Sequence, residues 1–177
     1  CGLRAAAQFL NKNNLYKISK KMKEKLNELF DKKTGMFYIA KDKKGKISAI
    51  NSDSLHALFY LEKNDLSKEQ TQKISESAKL LETIAGYRAL DKNFNFKIGH
   101  DSYDFQNNVW PFEQALIHIG AKKFNLKRVV NISYRVHKCL NSKSAPETLL
   151  LNNKKVTGVG CDPQLWTIAA KEYFKSL

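Results

Sequence analysis

The sequence predicts an all-α fold with long loops gathered at one end, and two observations carry that expectation. Apolar residues recur at three- and four-residue intervals through most of the chain, the spacing that puts them on one face of a helix. Between the helical stretches lie loops rich in Asn, Asp, Gly and aromatic residues. Size and composition agree. At 177 residues the chain is one domain's worth, and 42% hydrophobic with 27% charged residues is ordinary for a globular protein.

The elements follow in order. Leu3 to Leu10 reads as helix with no capping residue before it and no Met at the start, so the chain is expected to begin inside a larger domain. Leu15, Ile18, Met22, Leu26, Leu29 and Phe30 alternate with Lys and Glu as an amphipathic helix. Asp31-Lys-Lys-Thr-Gly35 ends it, and residues 36–50, around a Lys-Gly turn, predict one small β-hairpin. Asp53 is expected to cap a helix through Leu61, and Ser67 with Gln70 to form a capping box opening a helix through about Ala85. Residues 86–108 form a long loop, of a length that is uncommon in compact domains and often functional. Helices over Pro111–Phe124, Leu126–Leu140 and Pro163–Phe174 complete the set, with an Asn/Lys/Gly loop at 141–162. Seven helices in antiparallel hairpins result.

Two stretches stand out. Asn108-Val-Trp-Pro111 and Gly160-Cys-Asp-Pro-Gln-Leu-Trp166 each place a tryptophan and a proline where a loop becomes a helix. Proline suits a first helical turn, where its missing N–H leaves no bond unmade. A tryptophan there offers a flat apolar face to the C–H side of a sugar and an N–H to a hydroxyl. Two core tryptophans at helix starts would leave the same pattern, so both readings stay open.

Charge and cysteines bound the alternatives. The net charge is +14, but only Arg4, Arg88, Arg128 and Arg135 among the 31 basic residues are arginine. Specific nucleic-acid recognition leans on the arginine fork, so a solvated lysine surface is favoured over a nucleic-acid site. A Lys-rich helical module binding polyanions is the alternative function. Cys1, Cys139 and Cys161 are odd in number and far apart, fitting neither a disulfide framework nor a zinc site and pointing to a reducing, cytoplasmic setting. No apolar run is long enough to span a bilayer and no signal peptide opens the chain. No cofactor motif occurs. His56, His100, His118 and His137 offer no metal-ligand spacing, and the last two are expected to be ordinary helix histidines.

The ordered segments resemble the glycogen-debranching (amylo-α-1,6-glucosidase) enzymes and related barrel glycosidases. Val109-Trp-Pro111 opening a helix that runs to Gly120, and Cys161-Asp-Pro-Gln-Leu-Trp166 opening the last helix, carry the likeness. Phe37-Tyr-Ile-Ala40 with Ser52-Asp-Ser-Leu-His56, Gly86-Tyr-Arg-Ala-Leu90 and Ala145-Pro-Glu-Thr-Leu149 add to it in the same order. The resemblance covers nearly the whole chain. It implies an (α/α)₆ toroid of which residues 1–177 are the C-terminal half of a single domain. It also implies an exo-acting enzyme that hydrolyses α-glucosidic bonds of glycogen or oligosaccharides with inversion. Two departures stand out: the family's Tyr-His-Asn-Gly is here Asp104-Phe-Gln-Asn107, and its Asn-x-Gly-His is Asp53-Ser-Leu-His56.

Glycoside hydrolysis needs two carboxyl groups about the anomeric carbon. Among loop carboxylates, Asp162 reads as the N-cap of the last helix. Glu113 fits a helix's first turn, where the dipole favours an acid. Glu147 lies in a segment of low charge, and in the family a glutamate in the loop before the last helix is the base. The resemblance therefore names Glu147 as the base that activates water, its carboxylate expected in the same cavity as Trp110, with Asp104 next in line. It leaves the general acid in the missing half. Trp110, Trp166, Tyr103, Asp104, Gln106, Gln164 and His56 are expected to line the sugar site. The chain alone should be inactive, and its exposed apolar faces should draw self-association or a partner chain that completes the barrel.

Overall fold

Short-range signals set most helices of the structure, a computed structural model that describes residues 2–94, 104–140, 144–153 and 155–177. Helix α1 (Gly2–Phe9) leads into α2 (Asn13–Glu28), which has no fully buried residue. Helix α3 (Asp53–Tyr60) follows two small hairpins, and α4 (Lys68–Ser77) opens on the expected capping box. Ser67 Oγ accepts from the Gln70 N–H at 3.1 Å and Gln70 Oε1 from the Ser67 N–H at 2.8 Å. Helix α5 (Pro111–Lys123) starts on its proline. After it come α6 (Lys127–Ser133), α7 (Arg135–Cys139) and α8 (Leu165–Lys175).

Three boundaries differ from the sequence expectation, each for a local reason. The helix expected to reach Ala85 stops at Ser77, passing through a 3₁₀ turn (Ala78–Leu81). Thr83 Oγ1 donates to the Gly86 carbonyl at 2.8 Å and accepts from the Ala85 N–H at 3.1 Å, closing a tight turn instead. The single helix expected over Leu126–Leu140 is two. Ser133 Oγ donates back to the Val129 and Val130 carbonyls at 2.9 and 3.0 Å, a side-chain bond that competes with the helix ladder. The last helix begins at Leu165, not Pro163, and Asp162 does not cap it: Asp162 accepts from the Ala145 N–H at 2.9 Å and from the Ser144 hydroxyl.

The all-α expectation needs a larger correction. Strands β1 (Phe30–Asp31) and β2 (Met36–Phe37) pair antiparallel, as do β3 (Ala40–Asp42) and β4 (Gly45–Ile47), so residues 30–47 hold two hairpins rather than one. Strands β5 (Glu82–Thr83) and β6 (Gly86–Tyr87) form a third. The supposed loop at 141–162 contains β8 (Thr148–Asn152) and β9 (Lys155–Val159), which with β7 (Asn108–Val109) make a three-stranded antiparallel sheet. The register sets Val109 against Leu149 and Thr148 against Val159.

Two apolar clusters hold this together. One joins Leu55 and Leu58 of α3 to Ile117 and Ala121 of α5, with Met36, Ile74 and Tyr87 around them. The other packs Phe174 of α8 with Val109, Val136 and Leu149. The α3–α5 contact is the most extensive among the described residues and depends on Gly120. A Cβ there would lie 2.6 Å from the Phe59 nitrogen and 2.7 Å from the Leu58 carbonyl carbon, both backbone. Gly120→Ala must therefore spread the two helices. A loss of about 1–3 kcal/mol is expected in urea unfolding, the usual range for overpacking; an unchanged midpoint would refute the close approach.

A cavity between helix starts

Three segments converge where α3 and α5 begin. Asn51 sets the first. Its Nδ2 donates to the Phe37 and Ala49 carbonyls at 3.1 and 2.9 Å, and its Oδ1 accepts from the Ser54 N–H at 3.1 Å. Thus Asp53 does not cap α3: Ser52 is the N-cap residue, Asn51 supplies the side-chain oxygen for the Ser54 N–H, and Asp53 is the first helical residue. The second segment, residues 88–94, is tied across by Ser52 N–H to the Ala89 carbonyl at 3.0 Å and Asp91 N–H to the Ile50 carbonyl at 3.0 Å. The third is Trp110 to Glu113. It is anchored by the buried Gln114, whose amide pairs with the Tyr87 N–H and carbonyl at 2.8 and 3.0 Å.

Together they enclose a cavity of about 450 Å³, within the range of small-molecule sites. Its apolar wall is aromatic, with Phe94, Phe105, Trp110 and Phe112, and its polar wall is Asn51, Ser52, Asp53 and Glu113. Glu113 is the residue sequence reasoning undervalued. Burial, reinforced by the charge of Asp53, pushes its carboxyl up to about 7, against the opposing pull of the Ser52 hydroxyl donating to Oε2 at 2.9 Å. His56, one turn along α3, has its pKa lowered by burial, partly offset by Asp53. Its ring sits against Tyr60 at 5.3 Å and Phe112 at 5.9 Å between centroids.

The sequence-expected site residues divide. Trp110 lines the cavity and is not a core residue. Trp166 is 62% exposed, and its ring lies 5.7 Å from that of Phe112, so the two helix starts do adjoin. Gln106 and Asp104 hold the loop. Gln106 Nε2 donates to the Asp91, Lys92 and Phe94 carbonyls at 3.1, 3.0 and 2.7 Å. Asp104 accepts from the Gln106 and Asn107 N–H groups at 3.1 and 3.2 Å and from the Asn107 amide at 2.7 Å. Gln164 is half-buried, its N–H donating to the Ala145 carbonyl at 2.7 Å. Tyr103 and His100 lie outside the described residues.

Glu147 immediately precedes β8, and Trp110 immediately follows β7. The antiparallel pairing of Val109 with Leu149 brings those two ends together. The Glu147 carboxyl is not among the groups lining the cavity. Its Oε2 accepts from the Cys161 N–H at 3.3 Å. Gly160 leaves room for it: a Cβ there would stand 2.7 Å from Oε2. His118 and His137 sit among the rings of Tyr134 and Phe174, as expected of ordinary helix histidines. Among the described residues Cys139 and Cys161 are free thiols, and no helix is long and apolar enough to cross a membrane.

No protein-family model and no curated protein matches the sequence. Solved structures do match the fold. The chain is similar to neutral trehalase Nth1 from Saccharomyces cerevisiae (TM-score 0.71, 21% identity), covering 92% of this chain and 30% of that one. It is also similar to a GH63 mannosylglycerate hydrolase from Thermus thermophilus in complex with glucose (TM-score 0.77, 14% identity), covering 98% and 43%. The Tris complex of the same hydrolase gives a TM-score of 0.71 at 15% identity, covering 98% and 41%. The chain thus shares the fold of part of each of these proteins, and it spans less than half the length of each of them.

Proposed function

We propose that this chain is the C-terminal part of an inverting glycoside hydrolase that removes α-linked glucose, of the amylo-α-1,6-glucosidase kind. The observation that carries this reading is the aromatic-walled cavity at the start of α5, with carboxyl groups in its polar lining. Trp110 and Phe112 offer C–H stacking surface, while Asn51, Ser52, Asp53 and Glu113 offer partners for hydroxyls. Glu147 is assigned the role of base on its place at the end of the sheet beside Trp110, and Trp166 extends the aromatic surface outward. Tyr103, Gln164 and His56 are assigned to the sugar's surroundings. Asp104 and Gln106 act by shaping the loop that presents Phe105. The general acid comes from the half of the ring outside this sequence, so the chain alone is inactive. The exposed Ile18, Met22 and Tyr60 support an assembly in which further helices cover them.

Calorimetry with glucose and maltose tests the binding part. Sugar is expected to bind with affinity nearly independent of salt, and Trp110→Ala to weaken it on the order of tenfold, the loss of one aromatic stacking contact. Lysine-driven binding to polyanions would instead fall steeply with salt. Salt-sensitive RNA binding without sugar binding would reverse the assignment.

A further inference from the structure

Asp53, His56 and Glu113 each offer one ligand atom, and these atoms lie within 4.8 Å of one another. From this cluster we infer that the chain binds a divalent cation of the Zn²⁺ or Co²⁺ class in the cavity wall. Asp53 and His56 are three apart on α3 and so share a helix face, and Glu113 faces them from the first turn of α5. A carboxylate–x–x–His pair on one helix and a carboxylate from its packed neighbour is a recurrent way for helical proteins to build a metal site.

A second observation is independent of the acids. His56 Nε2 is buried with no hydrogen-bond partner among the described residues. A buried polar atom left unpaired is costly, and a metal bond is one way to satisfy it. Two carboxylates beside each other repel, and that repulsion is what a cation relieves. The mixed nitrogen and oxygen ligands select the class. Imidazole with carboxylate suits borderline ions, whereas Ca²⁺ and Mg²⁺ favour oxygen alone. Ligand atoms around a tetrahedral zinc are roughly 3.3 Å apart, so the cluster closes by up to about 1.5 Å on binding. Asp53 and Glu113 both line the cavity.

The test does not depend on the sugar reading, because it is run without sugar. Metal-free protein is titrated with CoCl₂ and followed by calorimetry and visible absorption. The expected result is one equivalent bound, with d–d absorption and no sulfur-to-cobalt charge-transfer band. Asp53→Asn and His56→Gln should each weaken binding by at least about tenfold, the least that loss of a ligand should cost where supporting residues alone cost 10–100-fold. Asp53 is exposed, so its Asn variant keeps the fold and decides the matter even if His56→Gln does not. Three results overturn the site: no saturable binding at millimolar cobalt, a charge-transfer band placing the ion on Cys139 or Cys161, or unchanged affinity in Asp53→Asn.

Discussion

On the proposed function, Glu147→Gln, made in a protein that supplies the rest of the proposed ring, is expected to lower glucoside hydrolysis by about 10²–10⁴-fold while sugar binding persists. The substitution keeps the shape of the side chain and an oxygen to accept the Cys161 N–H, which the carboxylate now takes at 3.3 Å. It removes only the ability to take a proton from water. Loss of turnover with unchanged maltose affinity and unchanged circular dichroism would carry the assignment. Near-normal turnover would end it. Glu113 would then be the stronger candidate, ahead of Asp104, because Glu113 lines the cavity and its carboxyl is raised to about 7, where an ionised fraction can take a proton from water, whereas Asp104 spends its oxygens on the 104–107 turn. An inverting pair should stand about 6.5–9.5 Å apart, with room for one water. On the proposed function, an acid from the rest of the ring would meet Glu147 across that gap.

What could be read from the sequence was local. The capping box at Ser67 and Gln70, the proline opening α5 and the amphipathic α2 all follow from neighbours within one helical turn, and all are present. The three-stranded sheet was not legible. Strand β7 is two residues long and has no period, and Thr148-Leu-Leu-Leu-Asn152 lacks the alternation that marks a half-buried strand. Its partner lies some forty residues away, and only folding brings Val109 to Leu149. The same limit hid the cavity's polar wall. In the sequence, Glu113 needs no explanation beyond a helix N-terminus that favours an acid. What distinguishes it is the approach of Ser52 and Asp53 from another helix, which no spacing records. The histidines, inspected by themselves, offered no ligand pattern; His56 gains one only with Asp53 beside it and Glu113 across from it. Trp110, which lines the cavity, was the exception, since a loop-to-helix junction places a side chain at the end of a helix whatever the rest of the fold does; Trp166 stands outside that lining, against Phe112.

Glu113→Gln is expected to change how stability depends on pH, measured by urea unfolding in metal-free buffer. The folded protein holds the Glu113 proton up to about pH 7, whereas the free side chain releases it near its ordinary value of 4.5. Between those values the folded state binds more protons than the unfolded state, so stability falls as pH rises. Glu113 thus contributes fully below about pH 4.5, and its contribution is gone above about pH 7. The difference is at most about 3.4 kcal/mol, from 1.36 kcal/mol for each unit, and less to the extent that water reaches the cavity wall. The half-buried His56 and the buried His118 work in the opposite sense: with folded values lowered by burial, they resist protonation and destabilise the fold as pH falls through about 6.5. Wild-type stability is the sum of these slopes, and the variant separates them. Gln at 113 keeps an oxygen for the Ser52 hydroxyl but carries no proton to lose. It should match wild type near pH 5, exceed it by one to a few kcal/mol at about pH 8, and leave the histidine slope as the visible trend. Parallel wild-type and variant curves from pH 5 to 8 would show that Glu113 is already ionised in the folded protein, and would remove it as a proton-holding group in this cavity.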